Sequence, residues 1–266
     1  MYNLVIAIAI SLVSFLLAPL LGFPLISGFL PAMVAFPIAL FWLVRRTQSQ
    51  VEAALAPMPG LAMKAQQATT PAERDAALDA VRTLLLEVRA RYGRWQYLLE
   101  DTVDGQLGQL AYARQQYDEA APLLAKGTRD WNAQVALACI HFRKGEVDAM
   151  KAAFVAAAAA AEKEPTVYLM WGVLLDKKGE REPALVAAST GFEKAPENKS
   201  LKHLRHQLAN KGTFDAESLG EIWYQFFPED LMKHMVMRGR RGEEGLPAAL
   251  RGRMPPPDPR AGRMRR

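Results

Sequence analysis

Apolar and polar positions follow three different rhythms along the chain. From Met1 to Val44 there is no Asp, Glu, Lys, Arg or His. Two apolar runs, Leu4–Gly22 and Leu25–Val44, each approach the roughly 20 helical residues that cross hydrocarbon. Gly22 and Pro24 place a turn between them, and Arg45 and Arg46 follow the second. The pattern predicts a transmembrane helical hairpin over residues 1–46, an integral membrane anchor of two spans with both ends cytoplasmic by the positive-inside bias. Pro31 and Pro37 leave open a re-entrant or interfacial second segment, and a cleaved signal sequence is a further alternative, although "MYN" has no basic start. With no ionisable side chain in either run, a proton or ion relay through them is not expected.

The second rhythm is helical and charge-rich. Residues 47–69 read as a juxtamembrane connector, an Ala-rich helical pattern broken at "PMPG". Residues 70–104 read as an amphipathic lead-in. Thr70 stands as N-cap, Pro71 at the first helical position and Glu73 three residues past the cap, where a capping box forms. Ala77, Leu78, Val81, Leu84, Leu85 and Val88 then recur every three or four residues up to Gly93.

Residues 105–198 repeat themselves. Superposing "QVALACIHFRKGEVDAMKAAFVAAAA" on "YLMWGVLLDKKGEREPALVAASTGFE" sets Leu137 on Trp171, Ala138 on Gly172, Gly145 on Gly179, Met150 on Ala184 and Ala157 on Gly191, every pair 34 residues apart. An earlier copy aligns Leu107, Gly108, Tyr117, Ala120, Leu124 and Gly127 with the same slots, and "KAPEN" closes the last one. This period and pattern resemble the tetratricopeptide repeat family. The resemblance implies an all-α solenoid of stacked helix pairs, in which Gly108, Ala138 and Gly172 let the helices approach. In the first copy Gln115 stands where the inter-helix glycine is expected, and Ala111 and His141 stand where an aromatic is common.

A solenoid needs a cap, and residues 199–237 supply candidate capping helices: Leu201, Leu204 and Leu208 on one face, then Leu219, Ile222, Trp223, Phe226, Phe227, Leu231, Met232 and Met235 in two short helices divided at Pro228. The alternative for the aromatics is an exposed patch for a partner or a membrane surface.

Charge adds the third regime. The formal net charge is +5, yet the nine Arg from Arg238 onward face only Glu243, Glu244 and Asp258, which makes the tail +6 and the rest −1. Residues 238–266 are therefore expected to be disordered. Arg238, Arg240, Arg241, Arg251 and Arg253 are candidate contacts to anionic lipid or, less expected, nucleic acid, against a plain solvated tail. A nearly neutral remainder argues against a duplex-binding surface.

Candidate chemistry is sparse. Cys139 and His141 are two apart on a predicted helix and point away from each other. His203 and His206 lack a third ligand and sit beside Lys202 and Arg205. No phosphate-cradling, dinucleotide or nucleophile-elbow glycine motif occurs, so neither catalysis, a metal nor a cofactor is expected. What the resemblance implies is a concave groove binding a protein or peptide, lined by Thr102, Gln109, Tyr112, Ala113, Asn132, Cys139, Phe142, Arg143, Leu169, Val173, Asp176 and Lys177. Tyr112 and Phe142 would anchor the partner, with Arg143 and Lys177 as its charged contacts. Gly105, Gln109 and Thr166 occupy the places where family members carry a carboxylate clamp, so that mode is disfavoured. The expectation is a membrane-anchored adaptor or scaffold with a cytoplasmic repeat domain. The alternatives are a subunit of a membrane machine for secretion or polymer export, contacted through the hairpin, and a tether for nucleic acid.

Overall fold

The computed structural model describes residues 2–20, 22, 24, 28–68, 70–95 and 99–231, and among these every regular element is helical. The chain divides into two compact units, one through Phe214 and one from Asp215 onward.

In the first unit, α1 (Tyr2–Leu20) lies against α2 (Phe29–Leu55). Their contact face holds the polar groups. Asn3 Nδ2 donates to Thr47 Oγ1 at 2.9 Å and Ser11 Oγ donates to the Ala32 carbonyl at 2.9 Å. The small Ala7 and Ala32 are buried between these ties, while Leu30, Ile38 and Phe41 are 70%, 63% and 67% exposed. Residues Phe29–Ala65, α2 with its continuation, form the one helix among the described residues long and apolar enough to cross a membrane. Helix α2 runs unbroken past the expected boundary at residue 46, through Arg45 and Arg46 to Leu55. No Pro or Gly interrupts residues 38–56, and Val51 is held in a cluster with Val81, Leu85, Val88 and Tyr92 of the domain beyond.

The expected connector is itself helical: α3 (Met58–Gln67) begins behind Pro57 and packs on α4 (Pro71–Tyr92). The Thr70 capping box forms as expected, Glu73 N–H donating to Thr70 Oγ1 at 3.2 Å and Thr70 N–H to Glu73 Oε2 at 3.3 Å. After α4 the chain turns back onto α1. The Tyr2 and Asn3 N–H groups, orphans of a helix N-terminus, donate to the carbonyls of Arg94 at 2.9 Å and Trp95 at 3.3 Å.

Seven helices follow in the first unit: α5 (Leu99–Ala113), α6 (Tyr117–Leu124), α7 (Trp131–Lys144), α8 (Val147–Ala160), α9 (Pro165–Lys177), α10 (Arg181–Lys194) and α11 (Lys199–Ala209). Each of α5, α7 and α9 packs on the helix after it, α7 also touches α5 and α9, and α11 closes on α9 and α10. Small residues permit this. A Cβ on Gly108 would stand 2.8 Å from the Leu124 backbone N, and one on Gly191 would stand 2.3 Å from the Tyr168 Cβ. The turns inside the second and third pairs use Gly145 and Gly179 at φ 79° and 82°, and the first uses Gln115 at φ 61°. Asp130, Glu164 and Asn198 cap α7, α9 and α11 with their side chains.

Leu201, Leu204 and Leu208 of α11 are buried as the spacing predicts. The second unit starts within the segment 199–237, at Asp215. There a 3₁₀ turn (Ala216–Leu219) leads into α12 (Glu221–Phe226), and helix resumes at Pro228. Trp223, Phe226 and Phe227 are buried, with Trp223 stacked on Phe227 at 4.1 Å between ring centres, so they offer no exposed patch. Met232, Met235 and the arginines Arg238, Arg240, Arg241, Arg251 and Arg253 lie outside the described residues.

Candidate partner-binding surface

The twelve residues assigned to a groove separate into two groups. Thr102, Ala113 and Lys177 are exposed, and Gln109, Asn132, Phe142, Arg143 and Asp176 are half-buried. Tyr112, Cys139, Leu169 and Val173 lie in the interior, with Cys139 and Leu169 wholly out of solvent.

The proposed anchor and cation are tied to each other. Arg143 Nη1 donates to the Tyr112 hydroxyl at 2.7 Å, and its guanidinium lies 4.6 Å from the Tyr117 ring centre. Burial pushes the Tyr112 phenol well above its ordinary range, more than the nearby guanidinium draws it down. It is therefore a neutral hydroxyl at physiological pH, available to accept from Arg143. Nearby, Lys178 lies 4.6 Å over the Phe142 ring, and Gln109 Nε2 donates to Asp130 Oδ2 at 2.6 Å. The other oxygen of Asp130 accepts from the Asn132 N–H at 2.9 Å, so Gln109 steadies the cap that begins α7. Asp176 faces Arg181 at 3.8 Å.

A second hollow was not singled out from sequence. Between α4, α5 and α6 a cleft of about 330 Å³ has walls of Leu86, Leu107, Leu110 and Leu123, with Arg82, Arg89 and Arg114 around them. Arg82 pairs with Glu119 at 2.7 Å and Arg114 with Asp79 at 2.8 Å. Arg89 meets the buried Asp104 at 2.9 Å, which Lys126 also holds at 3.0 Å, so this carboxylate is balanced by two cations. The Nε of Arg114 is buried with no hydrogen-bond partner among the described residues. On the other side of Arg114 and Gln116 a wider hollow of about 680 Å³ continues along Thr70, Arg74, Asp75 and Leu78. The sequence signal was available: Arg82 and Arg89 are seven apart, hence on one face of α4.

Guanidinium, amide and leucine groups in one cleft suit an acceptor oxygen flanked by apolar groups. The three histidines among the described residues are engaged locally: His141 Nδ1 with Glu146 at 2.6 Å, His206 with Asn210 at 3.0 Å, and His203 against the Phe214 ring. No protein-family model, curated protein or solved structure matches this chain.

Proposed function

We propose that the chain is a membrane-anchored adaptor without catalytic activity of its own. In this reading α1 and α2 cross the membrane as a hairpin, and the helices from α5 to α11 stack as a tetratricopeptide-like solenoid on the cytoplasmic side, where they hold a protein or peptide partner. Support for the stack comes from the helix pairs, with left-handed turn glycines 34 residues apart at Gly145 and Gly179. One observation carries the binding role: the leucine-walled cleft between α4, α5 and α6, with Arg82, Arg89 and Arg114 around it, suits an apolar side chain flanked by an acceptor oxygen of a partner.

Photo-crosslinking from residue 110 in the full chain, in its native membrane, tests the reading. A specific protein adduct is expected. Leu86→Glu, at a position 43% exposed and so tolerant of charge, should weaken that adduct about tenfold or more. An adduct indifferent to Leu86→Glu, in a chain of unchanged helicity, rules the cleft out. The second reading, a membrane-machine subunit gripped by its apolar helices, draws on the exposed apolar side chains Phe29, Met33, Ile38 and Phe41 of α2. It takes over where a complex survives Leu86→Glu and is lost on polar substitution of those four.

A further inference from the structure

We infer that the level at which α1 and α2 join the rest of the first unit is a binding site for anionic phospholipid headgroups, formed by Arg45, Arg46, Arg91 and Arg94 with Trp42 and Trp95. The inference rests on the membrane reading above and adds what the anchor recognises and with which residues. Hydrogen bonds fix the level. Asn3 binds Thr47 through its side chain, and the N–H groups of Tyr2 and Asn3 bind the carbonyls of Arg94 and Trp95. The start of α1, the Arg45–Arg46 pair and the turn that ends α4 are thereby drawn together, although nearly fifty residues separate the two arginine pairs in sequence.

Three properties at that level point to the same ligand. All four arginine side chains are exposed. The guanidinium of Arg46 lies 5.4 Å from the Trp42 ring centre and that of Arg91 5.4 Å from the Tyr92 ring centre, so aromatic faces steady them. On one side of this level the exposed apolar belt begins at once, with Leu4 and Val5 on α1 and Ile38, Phe41 and Trp42 on α2. Tyr2 meets Trp95 edge to face at 5.5 Å, and together with Trp42 these rings form the amphipathic rim favoured at a headgroup layer. Guanidinium groups just outside such a rim match phosphodiester oxygens in charge and geometry. The apolar belt selects a phosphate carried on acyl chains over a free one. Because Arg91 closes α4 and Arg94 lies in the turn after it, the site exists only in the folded chain, unlike a basic run beside a span.

The full chain reconstituted in phosphatidylcholine nanodiscs with a minority of phosphatidylglycerol supplies the test, by native mass spectrometry of the lipid it retains. Enrichment of phosphatidylglycerol is expected. Each basic side chain near an anionic surface contributes appreciably, so replacing Arg45, Arg46, Arg91 and Arg94 by Gln should cut the enrichment by about tenfold or more. Replacing Arg238, Arg240, Arg241, Arg251 and Arg253 by Gln should leave it unchanged, and excess inorganic phosphate or glycerol phosphate should not displace the lipid. Enrichment that survives the fourfold variant, disappears with the tail variant, or yields to free phosphate overturns the proposal. Extraction of native membranes with alkaline carbonate separates the two readings. A chain that washes off defeats the anchor and this site together, and one that stays without lipid enrichment defeats this site alone.

Discussion

The α1–α2 pair and the α9–α10 pair are both two helices packed side by side, and they sort their side chains in opposite directions. In α9 and α10 the interior takes Leu169, Met170, Leu174 and Ala188, and the outside carries Lys177, Glu182 and Lys194. In α1 and α2 the interior takes Asn3, Thr47, Ala7 and Ala32, and the outside carries Leu30, Ile38 and Phe41. The backbone hydrogen bonds are the same in both. Under the membrane reading proposed above, the difference follows from the surroundings: water expels apolar groups into the α9–α10 seam, whereas in hydrocarbon no such force exists and small residues with a few polar ties would hold the α1–α2 seam.

The largest test of this contrast removes one leucine-sized side chain from each pair. Leu174→Ala, at a wholly buried position, should cost about 2–5 kcal/mol in the denaturation of the full chain in detergent. Ile38→Ala, at a 63% exposed position, should stay within about 0.5 kcal/mol. Comparable losses at both would mean that α1 and α2 bury their apolar faces in protein. Overfilling the seam comes next. Gly191→Val places carbon where a Cβ alone already falls 2.3 Å from the Tyr168 Cβ, and about 1–3 kcal/mol should be lost by the same measurement. Unchanged stability would show that α9 and α10 can separate freely. Thr47→Val then probes the polar seam. It keeps the shape and removes the acceptor of Asn3 Nδ2, with an expected cost of about 0.6–2 kcal/mol. A cost near zero would leave packing alone to hold α1 on α2.

Much of the molecule was legible where a local rule decides the outcome. The Thr70–Glu73 box, the three leucines of α11 and the turns at Gly145 and Gly179 each follow from residues within a few positions of one another. Legibility failed where a distant segment decides. A repeat slot tells which side of α7 or α9 a residue occupies, but not that the neighbouring helix covers it, and so Cys139, Leu169 and Val173 are interior. The cleft depends on Arg82 reaching Glu119 and on Arg114 reaching back to Asp79, pairings across 37 and 35 residues that no helical period announces. Beyond Arg46, too, a distant segment decides what the chain does. Charge marks where an apolar span ends, while the helix itself continues because Val51 finds a core supplied by α4.

The smallest expected effect sharpens a comparison within the helix pairs. The α7–α8 and α9–α10 turns place glycine in the left-handed region, and a Cβ added at either Gly145 or Gly179 would meet nothing within 4 Å. The α5–α6 turn places Gln115 there, at φ 61°. A side chain in that conformation costs roughly 1–2 kcal/mol from the approach of Cβ to the following carbonyl. Glycine removes this cost but loses about 0.5–1 kcal/mol more conformational entropy on folding. Gln115→Gly should therefore stabilise the chain by about 0.5–1 kcal/mol, and Gly145→Gln should destabilise it by a similar amount, both read from denaturation midpoints at constant slope. Because the space around Gly145 is open, its substitution reports the backbone alone. If Gly145→Gln destabilises and Gln115→Gly fails to stabilise, then the Gln115 side chain supplies what its backbone costs, and the first pair is held in a way the other two are not.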